Sequence, residues 1–263
     1  MITLREKLPA EFGFKTGARG AHTSRTMMLR ELTQILTAVP ESASTAAYRS
    51  AIVEENTLGK KTESTRRLTF QRLSELYALD PSITLFRVLR KLWGWDPTGR
   101  PLLALLCAAA RDPLLATTAE HVIRARIGEP VTATDLDHVL EGTTAGRLNA
   151  SSRHKVARNA ASSWTQAGYL KGHLRKTRTK PVVSPGAVTY ALLQGYLMGL
   201  RGKALLNSLW TRLLDSPTDE VIRFAMAASR RGWMDFGAAG DVVEIRFPAL
   251  LTAAEEEKSH DST

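Results

Sequence analysis

The chain has 263 residues, 43% of them hydrophobic, which is long enough for two modest domains with a real core. Its 36 Lys and Arg outnumber 26 Asp and Glu, and the formal charge of +10 is the sign expected when the partner is a polyanion. One cysteine, Cys107, excludes a disulfide framework. The first residues lack the apolar core of a signal peptide, and the longest apolar block, residues 102–110, is about half a bilayer crossing, so a soluble, cytoplasmic protein with no membrane partner is expected.

Strand-like runs are few and segments of 3.6-residue period dominate, so the fold class is mainly α. Residues 1–23, glycine-rich and basic with Lys15, Arg19 and His22, read as an irregular lead-in. Thr23 or Ser24 can cap an amphipathic core helix through Met27, Met28, Leu32, Ile35 and Leu36 that stops before Pro40. Ser44 or Thr45 starts another through Tyr48, Ile52 and Val53. After the turn Thr57-Leu58-Gly59-Lys60-Lys61, Thr62 caps a helix carrying Arg66, Arg67, Leu73, Leu76 and Tyr77. Helix, glycine turn, helix, with Lys60, Lys61, Arg66 and Arg67 together, reads equally as a DNA-binding helix-turn-helix or as a helical hairpin whose cations are merely solvated.

Residues 54–67, Glu54-Glu55-Asn56-Thr57-Leu58-Gly59-Lys60-Lys61-Thr62-Glu63-Ser64-Thr65-Arg66-Arg67, resemble the EENLLGK…S…R signature of the BrxA family, a small component of BREX bacteriophage-exclusion systems. The order of parts extends the resemblance over residues 24–250. It implies a cytoplasmic, non-catalytic, mostly helical protein similar in fold to the NusB antitermination factor. It further implies binding to double-stranded DNA and a place among other BREX components.

Residues 82–95 place Ile83, Leu85, Phe86, Leu89, Leu92 and Trp93 on one helical face, with Arg87, Arg90 and Lys91 opposite. Trp93 and Trp95 could stack on bases, but core packing is the better reading. Asp96-Pro97-Thr98-Gly99 breaks the helix, and residues 101–110, apolar all round, read as the buried centre of a bundle. This closes an N-terminal helical domain over residues 24–112 and opens a basic one over 113–250.

Helices follow over 117–127 and, from a capping box at Thr132 and Asp135, over 132–142. Then residues 142–214 contain no Asp or Glu and carry twelve fixed positive charges, more than the net charge of the whole chain. Asn149 or Ser151 can cap a helix to about Ala167, stopped by Gly168. Val156, Ala160, Trp164 and Ala167 share its inner face, and Ser151, Lys155, Arg158, Asn159, Ser162 and Gln166 form the opposite stripe. Arg153, on the same helix, is a further candidate DNA contact. Two short extended runs around a basic turn make a hairpin with Lys171, Arg175, Lys176, Arg178 and Lys180, before Ser184-Pro185 starts another helix. Helix, glycine stop and cationic hairpin resemble a winged helix-turn-helix, in which the polar helix enters the major groove and the wing lies along the backbone. The plainer alternative is a solvated basic helix beside a basic loop.

Residues 188–200 and 204–214 read as apolar-faced helices, and Ser216-Pro217 as a cap followed by proline. A helix through Val221, Ile222, Phe224 and Ala225 stops at Gly232, and a second hairpin has Gly237-Ala238-Ala239-Gly240 as its loop. Its acids, with Asp219, Glu220, Asp235, Asp241 and Glu244, would repel phosphates, which gives it a structural or protein-contact role. Residues 251–263, with Glu255-Glu256-Glu257, read as a disordered acidic tail.

Catalytic chemistry has no carrier here. The six histidines lack metal-site spacing, and Asp135, Asp137 and His138 sit at a helix start that naturally collects acids. A phosphate-binding glycine loop and a nucleophile elbow are both missing, and Cys107 lies where a thiolate is disfavoured. No enzyme activity, metal or cofactor is therefore expected. Three functions remain in play: a double-stranded DNA binder acting mainly through phosphate contacts, an RNA-binding NusB-like factor, and a scaffold whose basic face docks on an acidic protein.

Overall fold

The computed structural model describes residues 9–17, 20–144, 146–240 and 242–261. It is mainly helical, with two separate two-stranded antiparallel sheets.

The lead-in is irregular but packed, with Phe12, Phe14, Ala21 and His22 buried. Helix α1 (Leu29–Ala38) is not capped by Thr23 or Ser24. Residues 20–28 are instead tied to distant side chains, and Met28, in a left-handed conformation (φ 53°), leads into the helix. Ser44 caps α2 (Thr45–Arg49), which runs straight into a π-turn at Ser50–Glu54. Gly59 turns the chain at φ 62°, and Thr62 caps α3 (Glu63–Tyr77) by accepting the Thr65 N–H.

Helices α4 (Thr84–Trp95) and α5 (Arg100–Arg111) are separated by the Asp96 turn. Residues 102–110 are buried without exception, as an all-round apolar helix must be. Trp93 is in the core, and Trp95 stacks on Trp233 with ring centroids 5.7 Å apart. Asp112 caps the short α6 (Pro113–Thr117), and α7 (Ala119–Arg124) is shorter at both ends than its sequence pattern.

The capping box at α8 (Ala133–Thr144) is formed in both directions: the Thr132 hydroxyl accepts the Asp135 N–H at 3.1 Å, and the Asp135 carboxylate accepts the Thr132 N–H at 2.7 Å. Asn149 caps α9 (Ala150–Gln166), and Gly168 (φ 86°) ends it. Strands β1 (Leu170–Lys171) and β2 (Thr177–Arg178) pair in the hairpin. The segment ahead of α8 adds a third rung: Pro130 bridges Thr177, the Arg178 N–H donates to the Glu129 carbonyl, and the Val131 N–H donates to the Lys176 carbonyl.

Helix α10 (Pro185–Leu197), capped by Ser184, is buried from Gly186 to Leu197. It packs on α4 and α5, where Tyr190 donates to the Leu85 carbonyl at 2.8 Å and Gln194 to the Leu106 carbonyl at 3.0 Å. The helix expected over 204–214 is two pieces, α11 (Lys203–Leu206) and α12 (Leu209–Arg212), because Ser208 starts a new cap on the Thr211 N–H. Pro217 is itself the cap of α13 (Thr218–Ser229), while the Ser216 hydroxyl donates to Glu220. In the second hairpin, β3 (Asp235–Ala239) and β4 (Val242–Arg246) pair out to Ala239 and Val242, so Gly237, expected in the loop, is a strand residue. Asp241 lies outside the described residues.

Residues 253–261 are not a frayed tail but helix α14 (Ala253–Asp261). Glu255 anchors it, accepting from Arg87 at 2.6 Å and from Thr84. Arg201 donates to the carbonyl and hydroxyl of the buried Ser259, each at 2.9 Å. Burial works to raise the Glu255 carboxyl, yet the donors from Thr252, Thr84 and Arg87 together hold it below its ordinary value. The buried side chains form one hydrophobic cluster reaching from Phe12 to Leu251. Among the described residues no single helix is long and apolar enough to cross a membrane. One bent pair, Pro97–Arg111 and Pro113–Arg124 at 104°, passes by length and composition, with most of its apolar residues inside the core.

Candidate nucleic-acid interface

Helix α9 is built on an inner face of Val156, Ala157, Ala160, Ala161, Ser163 and Trp164, all buried. The Trp164 indole donates to the Thr118 hydroxyl at 2.8 Å and meets the Tyr169 ring edge-on at 4.9 Å, which fixes the end of α9 against the hairpin. At roughly 100° per residue, the stripe opposite this face divides into an open part and a covered part.

The covered part belongs to the segment over residues 20–29, which crosses α9 as a strap. Asn159 donates its side-chain amide to the His22 carbonyl at 2.8 Å, and the Gln166 side chain accepts the Leu29 N–H at 3.0 Å. Asn159, expected to face DNA, is therefore spent on holding the strap, as is Gln166. Beneath them the His22 ring bridges Asp112 and Ser163, each at 2.8 Å, with all three groups at most 1% exposed. Gly20 is required here, since a Cβ would stand 2.0 Å from the Asp112 carboxylate. Burial pushes the Asp112 carboxyl up, but the charge of His22 and its hydrogen bonds outweigh that and hold it below its usual value. Ser163, His22 and Asp112 have the connectivity of a charge-relay triad, yet the Ser163 hydroxyl donates to the Asn159 carbonyl at 2.9 Å and accepts the Met27 N–H at 2.8 Å. That hydroxyl has no proton left to give, and the group acts as a latch. Two signals in the sequence pointed to it: Asp112-Pro113 as a helix cap, and Ser163 as a polar residue on an otherwise apolar face.

The open part consists of Ser151, His154, Lys155 and Arg158, all exposed, with Ser162 half-buried. His154 joins a stripe from which the sequence pattern had omitted it. Arg153, a candidate DNA contact by sequence, is committed instead: it turns to α8, with Nε 3.2 Å from Asp137 and Nη2 3.0 Å from Glu141, and its side chain is only 15% exposed. Asp137 is thus a structural counter-ion.

On the hairpin, Lys171, Arg175 and Lys180 are exposed. Lys176 is half-buried, its ammonium 3.1 Å from the Thr165 hydroxyl and 3.3 Å from the Gly172 carbonyl, and burial lowers its pKa. Arg178 is not a wing cation. It is 1% exposed, pairs with Asp215 at 2.5 Å, donates to the carbonyls of Tyr169 and Thr179, and lies over the Tyr169 ring at 5.3 Å. The Tyr169 hydroxyl in turn donates to the Leu213 carbonyl. The acid-free run ends at Leu214, and the next residue is the counter-ion that Arg178 uses.

The N-terminal basic cluster is half neutralised. Lys60 pairs with Glu31 at 2.9 Å and Arg67 with Glu63 at 2.5 Å, while Arg66 donates to the Glu54 carbonyl. Lys61 is exposed. Lys155, Arg158, Lys171, Arg175 and Lys180 form no ion pair among the described residues, and none of them is matched by an acid within residues 142–214.

No protein-family model and no curated protein matches the chain significantly. Among the described residues, no group of three His, Cys, Asp or Glu side chains is placed to hold a metal ion. The Cys107 thiol is pushed up to about 11 by burial, against the opposing charge of Arg111.

Proposed function

We propose that the chain is a non-catalytic double-stranded DNA-binding protein that works in the bacterial cytoplasm, without cofactor or metal, as an accessory of a BREX-type phage-defence system. The observation that carries the binding reading is the set of five exposed, unpaired cations, Lys155, Arg158, Lys171, Arg175 and Lys180, in a segment free of Asp and Glu. The defence assignment, the NusB-like character of the bundle and contact with other BREX components rest on the likeness of residues 54–67 to the BrxA signature.

In this reading α7, the 128–131 rung, α8, α9 and the β1–β2 hairpin are a winged helix-turn-helix. Support comes from their order and from the third rung that ties the hairpin to the segment before α8. The open stripe of α9 enters the major groove and the hairpin tracks the backbone. Base-reading side chains are scarce on that stripe once Asn159 is committed to the strap, so phosphate contacts dominate and binding is tolerant of sequence.

Fluorescence anisotropy with matched duplex DNA, single-stranded DNA and RNA over a salt series tests this. Five phosphate contacts give a slope of log K against log salt near −4.5, at about 0.9 per contact. A preference for RNA or single strands replaces the duplex reading with an RNA-binding one. No nucleic-acid binding at low salt turns the basic face toward an acidic protein.

A further inference from the structure

Resting on that duplex-binding reading, we propose that Leu174 is an apolar wedge, carried on the tip of the β1–β2 hairpin into the minor groove of a deformable, A·T-containing duplex, which it kinks. Leu174 is 92% exposed, the most exposed of the large apolar side chains among the described residues. It sits at the middle of the loop between the paired residues Lys171 and Thr177. The base of that loop is braced. Gly172, at φ 103°, brings its backbone so close to the Arg175 carbonyl that a Cβ would stand 2.1 Å from it, and the Lys176 ammonium holds the Gly172 carbonyl from the other side. His173, Leu174 and Arg175 are thereby held out into solvent.

A hairpin that only followed phosphates would gain nothing from an aliphatic apex. A leucine ringed by Lys171, His173 and Arg175 has the two chemistries a groove offers: anionic walls for the cations and a floor of sugars and base edges for the side chain. The tip has no acid to match the basic residues of a mixed protein surface. Wedges of this kind act by partly unstacking one base step, and pyrimidine–purine steps yield most easily.

The test uses the full chain and duplexes of about 30 base pairs, end-labelled for energy transfer, with either a central TA step or a central G·C run. Affinity and end-to-end distance are read together for wild type, Leu174→Ala and Leu174→Met, with circular dichroism melts as a folding control. Wild type shortens the TA duplex more than the G·C one. Leu174→Ala binds about tenfold more weakly with an unchanged salt slope, since no charge is lost, and abolishes the bend, while Leu174→Met restores both. Duplex binding and bending by Leu174→Ala equal to wild type overturns the wedge and leaves the duplex reading standing. Failure of wild type to bind any duplex overturns both.

Discussion

The division between open and committed cations gives a quantitative prediction. Lys155 and Arg158 are exposed on α9 and form no ion pair among the described residues, so replacing both with alanine should leave stability within about 0.5 kcal/mol. Duplex binding should respond strongly. At about 0.9 per contact, losing two contacts takes the salt slope from near −4.5 to near −2.7 and, at 0.1 M salt, weakens binding about 60-fold, or ~2.4 kcal/mol. The control is Lys60→Ala with Arg67→Ala, which removes the same formal charge from cations paired with Glu31 and Glu63. Anisotropy titrations of the three proteins at four or more salt concentrations give slope and intercept separately. A wild-type slope in the α9 variant, or an equal fall in the control, refutes the assignment of binding to this stripe.

Three further outcomes follow from the buried polar groups. Arg178→Met strands the Asp215 carboxylate and frees two carbonyls, and a thermal melt should show a loss of about 3 kcal/mol, whereas Arg175→Ala on the same hairpin should be nearly neutral. His22→Ala leaves the Asp112 carboxylate buried without its partner and loosens the strap; trypsin should then cut after Arg25 much faster than in wild type, and equal cleavage rates would count against the latch. Glu255 is held below its ordinary pKa, so its contribution is present above the unfolded-state value and is lost as pH falls through the folded one. Between about pH 5 and pH 3 the melting temperature of wild type should therefore drop more steeply than that of Glu255→Gln, and parallel curves would remove Glu255 as the anchor of α14.

Much of the frame was legible because it is written locally. Asn149, Thr62, Ser184 and Thr132 each accept a backbone N–H three residues ahead, and a cap can be read at that range. The central helix α5 was legible because nine consecutive residues, 102–110, offer no polar face. The site was harder to read because charge counting treats every cation as solvated. Arg153 finds Asp137 at a separation of 16 residues, and Arg178 finds Asp215 at 37, distances at which helical and strand periodicities say nothing. The strap was hidden for the same reason, since His22 and Asn159 meet across 137 residues. The tail misled in a different way: three consecutive glutamates suggest a solvated end, yet one of them, Glu255, has two donors waiting on α4.

The cations that hold the molecule together and the cations left facing outward are different residues. Arg153, Arg178, Arg87 and Lys60 are bolts; Lys155, Arg158, Lys171, Arg175 and Lys180 are left open. Shape and outward charge can therefore be tuned independently. Salt screens the exposed cations first and leaves the better-buried bolts fastened, and a lineage of such chains could exchange Lys155 and Arg158 on the outer face of α9 without risking the fold.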